Sequence, residues 1–293
     1  MNKPLLLTHR ASSKIPVWIK IFTPAVLLLL SSLQAMAQGD LLISPLRVVF
    51  EGAKKSQEIN LANVGKDTAT YEVSVKDIRM NENGSFEEIT VPDSGQRFAG
   101  PFLRYFPRKV TLAPNEAQVV KVQLIKTAQM TPGEYRSHLY FRAVPDEKPL
   151  GEKPTHKDSA NISIQLTPIF GITIPVIIRV GENTSDVTLS DLSVNNSANN
   201  MDTVRLNLTF NRTGNMSVYG DLKVDHVSPT GKITQVKIVK GVGVYTPIPR
   251  RRLTIDLDMD KKVDYHKGKL HVTYTVQTSD KTTKAVEAEL ELK

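Results

Sequence analysis

The segment from residue 162 to residue 180, ISIQLTPIFGITIPVIIRV, has an apolar residue or a proline at every even position. A period of two predicts a β-strand with one apolar face. Pro168 and Pro175 cannot donate ladder hydrogen bonds, so the segment fits a sheet edge or a bent strand better than a fully paired central strand. At about 3.3 Å per residue, an unbroken strand of this length would outrun an ordinary sandwich sheet.

Two interpretations of this alternating segment remain open at this point. Soluble proteins normally suppress exposed apolar edges, so an edge that is kept favours a protein that adds a strand to a partner. The ordinary alternative is a core strand, which is what most alternating segments of β-rich proteins are. The rest of the chain has to decide between them.

The first 37 residues have the pattern of a signal peptide. They carry four basic residues and no acid, an apolar run at residues 21–30, and Ala-Met-Ala at residues 35–37. The run is short for a membrane span and ends in a small-residue cleavage pattern. We therefore expect an exported protein that begins near Gln38 after cleavage, with an uncleaved N-terminal anchor as the alternative.

Charge and cysteine content exclude several classes of protein. The formal net charge is +8, of which +4 remains without the four basic residues of the leader. The dense basic run Arg250–Arg252 is more typical of a solvated turn or strand flank than of a nucleic-acid contact, so no nucleic acid is expected as a partner. The chain has no cysteine, so burial and not disulfides must hold it together.

Short alternating segments separated by turn sequences recur along the whole chain, and no long stretch keeps a helical period. This pattern predicts an all-β chain with two immunoglobulin-like β-sandwich domains in tandem, at residues 38–181 and 186–293, after a signal peptide at residues 1–37. The strands predicted are Leu42–Phe50, Ser56–Val64, Ala69–Arg79, Lys109–Leu112, Gln118–Leu124, Tyr135–Val144, Ile162–Val180, Val204–Phe210, Leu253–Leu257 and Leu270–Val276.

The residues that enzymes need do not form a recognisable arrangement. A catalytic site requires a nucleophile with a base, paired carboxylates, or metal ligands at characteristic spacing. The six histidines are scattered, and none occurs in an H-x-x-x-H or H-E-x-x-H motif. We expect no enzymatic activity, no metal, no cofactor and no small-molecule substrate.

Four stretches in the first half resemble the PapD-like family of periplasmic chaperones of fimbrial assembly. Ser44–Phe50 resembles the opening strand of that family, with its basic residue, and Phe102–Pro114 resembles the stretch before its fifth strand. Gly133–Pro145 resembles the family strand that runs from a serine to a terminal proline. The alternating segment stands where the family has its subunit-capping strand, and the consistent order over Leu41 to Val180 makes the resemblance more specific than any one motif.

The resemblance implies a function for the chain. In that family the chaperone lends its alternating strand to a pilus or fimbrial subunit that lacks one strand, and delivers the subunit to an outer-membrane usher. The subunit groove buries the donated side chains, at ~1.5–3 kcal/mol for each one fully buried, while its open edge gains main-chain hydrogen bonds. The resemblance therefore implies a periplasmic location and fibre subunits as partners.

Residue roles are implied by the same resemblance. Arg47 matches the basic residue of the opening strand, which in the family helps to anchor the C-terminal carboxylate of the subunit, and a plain surface arginine is the alternative. The donor side chains expected are Ile162, Ile164, Leu166, Phe170, Ile172 and Ile174.

Two positions depart from the family pattern. Pro175 stands where the family has a second anchor, a lysine, so the second anchor is open, with Lys121 and Arg179 as candidates. Arg136 stands where classical members carry an acid that pairs with the arginine matched by Arg179, which predicts a like-charged pair. Both departures indicate a divergent or alternative branch of the family.

A structural or adhesive surface-fibre protein with immunoglobulin-like domains is the alternative function. A fibre subunit would lack one strand of a sandwich and carry an N-terminal donor extension. This chain is expected to have a full set of strands, which favours the chaperone.

Overall fold

The computed structural model describes residues 40–145, 169–196, 203–259, 263–277 and 283–293. The predicted signal peptide and the predicted donor residues Ile162, Ile164 and Leu166 lie outside these ranges. Within them the regular structure is β, apart from short 3₁₀ turns such as Gly100–Phe102 and Thr127–Gln129. No helix in the described ranges is long and apolar enough to cross a membrane.

The first half of the chain forms a β-sandwich. One sheet has the order β1-β3-β9-β7, the other has the order β2-β11-β10-β4-β8, and β5 and β6 form a separate hairpin. The strands are β1 (Leu41–Ser44), β2 (Val48–Phe50), β3 (Ser56–Asn63), β4 (Ala69–Lys76), β5 (Ile78–Met80), β6 (Phe86–Glu88), β7 (Leu103–Phe106), β8 (Lys109–Leu112), β9 (Ala117–Leu124), β10 (Gly133–Val144) and β11 (Gly171–Val180).

Alternation along these strands builds the first core. In β3, Ile59 and Leu61 are fully buried, whereas their neighbours Glu58 and Asn60 are exposed. They pack in one cluster with Leu139 of β10 and the other inward side chains of both sheets. The period of two that the sequence shows is therefore the period of core contacts.

The second half forms another sandwich with a core of its own. Its sheets have the orders β12-β13-β16 and β15-β14-β17-β18, and Phe210 packs edge-to-face on Tyr274 at its centre, with ring centroids 4.9 Å apart. The strands are β12 (Asp186–Asn196), β13 (Val204–Thr213), β14 (Val218–Val227), β15 (Ile233–Val244), β16 (Arg250–Asp256), β17 (Lys269–Gln277) and β18 (Thr283–Glu291).

The predicted all-β class with two sandwiches is confirmed, and several strand bounds are corrected. The predicted strand Leu42–Phe50 is two strands, because the chain leaves one sheet after Ser44 and joins the other at Val48. The described part of the predicted strand Ile162–Val180 becomes a strand only at Gly171. Strands β6, β7, β12, β14, β15 and β18 were not predicted, and register shifts interrupt the pairing of β12, β14 and β15.

Candidate functional site

The strand β11 has one edge that is only partly paired. It pairs antiparallel with β10 along its whole length, from Gly171 to Val180. On its other side it pairs with β2, in parallel, only over Val176–Ile178. Within the described residues, the stretch Gly171–Pro175 therefore has an open second edge.

The hydrogen-bond pattern shows which backbone groups face that edge. The N–H of Ala143 donates to the carbonyl of Phe170 at 2.9 Å, so the even positions of β11 direct their backbone groups toward β10. The odd positions, Gly171, Thr173 and Pro175, direct theirs toward the open edge. The N–H that proline lacks would have faced the open edge. Pro175 therefore interrupts no hydrogen bond of the ladder with β10.

The predicted donor side chains that the structure describes differ in how deeply they are buried. Ile174 is 1% exposed and belongs to the core of its own sandwich, so it is not available to a partner and is removed from the predicted donor set. Ile172 is partly buried against the same core. Phe170 is 54% exposed, so its ring is free to contact another molecule.

A close approach fixes the point where the open edge begins. The ring of Tyr140 on β10 lies directly on the backbone of Gly171, and a Cβ at this glycine would overlap the ring. The ammonium group of Lys76 lies 5.6 Å from the centroid of the same ring. A residue with a side chain at position 171 would therefore displace the ring of Tyr140.

A cleft of about 310 Å³ lies beside this edge, between the two sandwiches. Thr173 and Pro175 of β11 form part of its wall. Its charged or titratable lining residues are Arg47, His138, Tyr219, Tyr245 and Arg251, and no acid is among the described residues that line it. A cleft with guanidinium groups and no carboxylate favours an anion.

Arg47 lies between β1 and β2 and extends to the second sandwich. Its Nη1 donates to the hydroxyl of Tyr245 at 3.1 Å, and its guanidinium carbon lies 4.2 Å from the centroid of the Tyr219 ring. These contacts are a hydrogen bond and a cation–π interaction. Arg47 is therefore held at the wall of the cleft by two tyrosines of the second sandwich.

The predicted like-charged pair between Arg136 and Arg179 is wrong. In the register of β10 and β11, Arg179 faces Glu134, and Arg136 faces Ile177. Arg179 Nε lies 3.4 Å from Glu134 Oε2. The acid that pairs with Arg179 is therefore Glu134, two residues before Arg136 in the chain.

Glu134 connects the two sandwiches. Its carboxylate accepts hydrogen bonds from the backbone N–H of Ser217, at 2.9 Å, and from the Ser217 hydroxyl. Arg179 Nη2 donates to the Ser217 carbonyl at 2.9 Å. The ion pair across β10 and β11 therefore also holds the turn before β14, and it uses Arg179, which was a candidate for the second anchor.

Arg136 is a buried cation beside the cleft. It is 2% exposed, its guanidinium lies 4.3 Å from the centroid of the Tyr245 ring, and its Nε and Nη1 have no partner among the described residues. Burial lowers the pKa of Arg136, and nearby Glu134 opposes this effect. Its charge adds to the positive potential at the Tyr245 ring.

His138 lines the cleft opposite Pro175 in the β10–β11 register. Burial, and secondly the charge of Arg136, lower the pKa of His138 from 6.5 to about 3. Its Nδ1 has no partner in the described part of the chain, and the ring of Phe86 lies edge-on at 6.3 Å. His138 is therefore neutral near pH 7 and adds no charge to the cleft.

Arg251 is a cation of the cleft that was not predicted from the sequence. The run Arg250–Arg252 was interpreted as a solvated flank, but it lies in β16, and Arg251 lines the cleft while Arg250 is exposed. The signal was present in the alternation, since Arg251 shares its parity with Leu253 and with the buried Ile255. Lys121, the other candidate anchor, is an exposed residue of β9.

Within the described ranges, no group of three or more histidine, cysteine, aspartate or glutamate side chains could hold a metal ion. No family model matches the chain, and no curated protein matches it. The comparison with solved structures is therefore the one that gives relatives.

The solved structures that resemble this chain include chaperones of fimbrial assembly. The CupB2 chaperone of Pseudomonas aeruginosa is 13% identical, with 85% of this chain and 100% of that chain covered and a TM-score of 0.43. The class 5 fimbriae chaperone CfaA is 15% identical, with 86% and 99% covered and a TM-score of 0.42.

A third similar structure contains a partner. It is the CsuC–CsuE chaperone–tip adhesion subunit pre-assembly complex of Acinetobacter baumannii, at 11% identity, with 85% of this chain and 98% of that chain covered and a TM-score of 0.43. At these sequence identities and TM-scores, the similarity does not show what this chain binds. The function has to be inferred from the open edge and the cleft.

Proposed function

We propose that this chain is a periplasmic chaperone that binds fimbrial or surface-fibre subunits by adding the edge of β11 to them. The observation that carries the proposal is that the open edge Gly171–Pro175 adjoins the cleft. Thr173 and Pro175 belong to both, and no acid is among the described residues that line the cleft. A strand edge and an anion site side by side suit a partner strand that ends in a carboxylate.

The open edge supplies main-chain hydrogen bonds. Gly171 and Thr173 offer an N–H and a carbonyl each, and Pro175 offers a carbonyl, because these odd positions face away from β10. A partner strand that lacks a neighbour would satisfy its own backbone groups on this edge. Such pairing also covers the partner's edge against aggregation.

Apolar contact comes from the residues before the paired stretch. Ile169 is 46% exposed and Phe170 is 54% exposed, next to the half-buried Ile172. Each such side chain that enters a groove of the partner stabilises the complex by ~1.5–3 kcal/mol if it becomes fully buried. Ile162, Ile164 and Leu166 continue the same alternation in the sequence and complete the proposed donor set.

The cleft fixes the register of the added strand. Arg47 is held by the rings of Tyr219 and Tyr245 in an orientation that leaves a guanidinium at the cleft wall. A C-terminal carboxylate bound there would set which residue of the partner faces Thr173. Since a slip of one residue reverses every side chain of a strand, an anchored end gives specificity to an otherwise general backbone contact.

Export by a signal peptide and delivery of the subunit to an outer-membrane usher complete the proposal, on the support of the sequence resemblance alone. The proposed activity is binding, with no catalytic step and no cofactor. The alternative of a fibre subunit with a missing strand is less well supported, since β11 lies in its sheet between β10 and β2.

Co-expression with a candidate fibre subunit tests the proposal. Phe170→Asp places a charge in the proposed contact, and Thr173→Pro removes an N–H from the open edge but none from the ladder with β10. We expect wild-type protein to co-purify with the subunit and each variant to lose most of it. Phe106→Asp is the matched control, because Phe106 is 75% exposed on β7 in the other sheet. Equal retention by the wild type and both edge variants would refute the proposal.

A further inference from the structure

The cleft contains a second guanidinium group, and it comes from the second sandwich. The two β11 residues that line the cleft, Thr173 and Pro175, are uncharged. Arg47 belongs to the first sandwich and Arg251 to strand β16 of the second. Each of the two sandwiches thus contributes one guanidinium group to the wall of the cleft.

The guanidinium of Arg251 is held in place by neighbours on two sides. Its Nη1 donates to the carbonyl of Gly243 at 2.5 Å. On the other side lies the turn of the β5–β6 hairpin, where a Cβ at Gly84 would come within 2.9 Å of Arg251 Nε and Nη2. A side chain that is already ordered loses less conformational entropy when it binds a ligand.

Arg251 also has hydrogen-bonding capacity that the chain itself does not use. Its Nε is buried and has no partner among the residues that the structure describes. A buried donor without an acceptor is unfavourable, and an unpaired group of this kind calls for an explanation such as a bound ion or water. The adjoining cleft contains no carboxylate that could serve.

Arg251 and Arg47 border the same wall of the cleft. Positions 241 and 243 of β15 are both glycine, and a Cβ at Gly243 would lie 3.1 Å from the Tyr245 ring and 3.4 Å from the Tyr219 ring. These are the two rings that hold Arg47. The carbonyl that orients Arg251 therefore comes from the residue packed against the tyrosines that orient Arg47.

We propose that Arg251 is the second anion-binding residue of the cleft, so that one terminal carboxylate of a bound strand is held by Arg47 from the first sandwich and by Arg251 from the second. This rests on the proposed function and assigns to the second sandwich a direct part in binding. Two guanidinium groups on one carboxylate give charge-assisted hydrogen bonds from both sides. The bound anion then joins the two sandwiches across the cleft.

The other cations of the region do not take this role. Arg136 donates through Nη2 to the carbonyls of Ile78 and Thr246, at 3.3 and 3.4 Å, and is not among the residues that line the cleft. Arg179 is engaged by Glu134 and Ser217. Arg251 is thus the cation best placed to act together with Arg47.

A pair of synthetic peptides tests this inference without knowledge of the natural subunit. The probe is an acetylated hexapeptide of alternating valine and threonine with a free C-terminal carboxylate, and its control is the same peptide as the C-terminal amide. We expect wild-type protein to bind the free acid about tenfold more tightly than the amide at low ionic strength, because charged hydrogen bonds are the stronger ones. Arg251→Gln and Arg47→Gln should each remove most of this preference.

Arg250→Gln is the matched control, since Arg250 is the exposed neighbour of Arg251 on the same strand. It should keep the full preference for the free acid. A measurement on unmutated protein covers the case in which Arg251→Gln does not fold: the Nε–H resonance of Arg251 should shift on titration with the free acid and not with the amide.

The outcomes separate this inference from the proposed function. If Arg47→Gln loses the preference for the acid and Arg251→Gln keeps it, Arg251 is not an anchor, but strand addition stands. If wild type binds both peptides equally and Phe170→Asp binds neither, the cleft anchors no carboxylate, and this inference fails alone. If wild type binds neither peptide, the inference and strand addition both fail.

Discussion

Glu134 on β10 faces Arg179 on β11, and the two side chains, 0% and 9% exposed, form an ion pair at the base of the second sandwich. Both also bind Ser217, Glu134 through the backbone N–H and hydroxyl and Arg179 through the carbonyl. A buried pair of this kind is favourable only while all of its members are present, because a single remaining charge has no compensating partner.

Glu134→Gln should therefore destabilise the protein by about 2–4 kcal/mol, since it removes the buried counter-charge of Arg179. The carboxylate that remains near Arg179 is that of Glu51, which is 30% exposed and lies 3.9 Å from Arg179 Nη1. Urea unfolding at pH 7 measures the change in the free energy of unfolding. Glu72→Gln is the control, because the Glu72–Arg142 pair is exposed and its atoms are 3.7 Å apart. A change for Glu134→Gln no larger than for this control would contradict the structural role of the pair.

Ser137 is a fully buried hydroxyl that joins three segments. It accepts hydrogen bonds from the N–H groups of Ala99 and Gly100, both at 2.9 Å, and donates to Asp77 Oδ1 at 2.5 Å. Ser137→Ala leaves two buried donors and a carboxylate without their partner, and we expect a loss of about 2–4 kcal/mol in the free energy of unfolding.

Thr70→Ala is the comparison for Ser137→Ala in the same denaturation experiment. The hydroxyl of Thr70 pairs with that of Thr111 at 2.9 Å on an exposed face. Water can replace that contact, so a loss below about 0.5 kcal/mol is expected. Similar losses for the two variants would show that the Ser137 hydroxyl does not join the three segments.

The lowered pKa of His138 should make the stability of the protein depend on pH. Its pKa falls from 6.5 in the unfolded chain to about 3 in the folded chain, so between these values the unfolded chain binds a proton that the folded chain does not. The free energy of unfolding should therefore fall as the pH decreases below 6.5. At pH 4.5 the His138 contribution to this loss is about 3 kcal/mol, from 1.36 kcal/mol per pKa unit.

Urea unfolding of wild type and His138→Phe at pH 7 and at pH 4.5 checks this dependence. The variant removes the titrating group, so its stability should decrease less than that of the wild type between the two pH values. Parallel decreases in both proteins would show that His138 does not titrate differently in the folded and unfolded chains.

Ile174 is a core residue and Phe170 is an exposed residue of the same alternating segment, so the two should differ in their effect on stability. Ile174→Ala should destabilise the protein by about 2–5 kcal/mol, because it leaves a cavity in a packed core. Phe170→Ala should change the free energy of unfolding by less than about 0.5 kcal/mol, since Phe170 is 54% exposed. Thermal or chemical unfolding measures both, and an equal cost for the two variants would contradict the division.

The period of two was sufficient to predict an all-β chain and the strand that carries the site. It could not show that Ile174 belongs to the chain's own core while Phe170 is exposed, because both lie on the same face of the alternation. Which part of an apolar face is covered depends on where the opposite sheet ends, and this is a property of tertiary packing.

The register between strands was the second feature that the sequence could not predict. Glu134 and Arg136 have the same parity on β10, so the alternation allows either to face Arg179, and the pairing of the two strands decides for Glu134. Arg251 is separated from Arg47 by about two hundred residues, and only the packing of the two sandwiches brings both to one cleft. Arg47 could be singled out from the sequence, because the motif around it, Ser44–Phe50, is seven residues long. Its role as an anchor stays a prediction.

Amide hydrogen exchange along β11, followed by NMR in the free protein and in complex with a fibre subunit, is the most direct test of the central claim. We expect the N–H groups of Gly171 and Thr173 to exchange fast in the free protein, while those of Ile172 and Ile174, which pair with β10, exchange slowly. Binding of the subunit should protect Gly171 and Thr173. Slow exchange at both odd positions in the free protein, or no added protection in the complex, would contradict the proposal that this edge is the one lent to a partner.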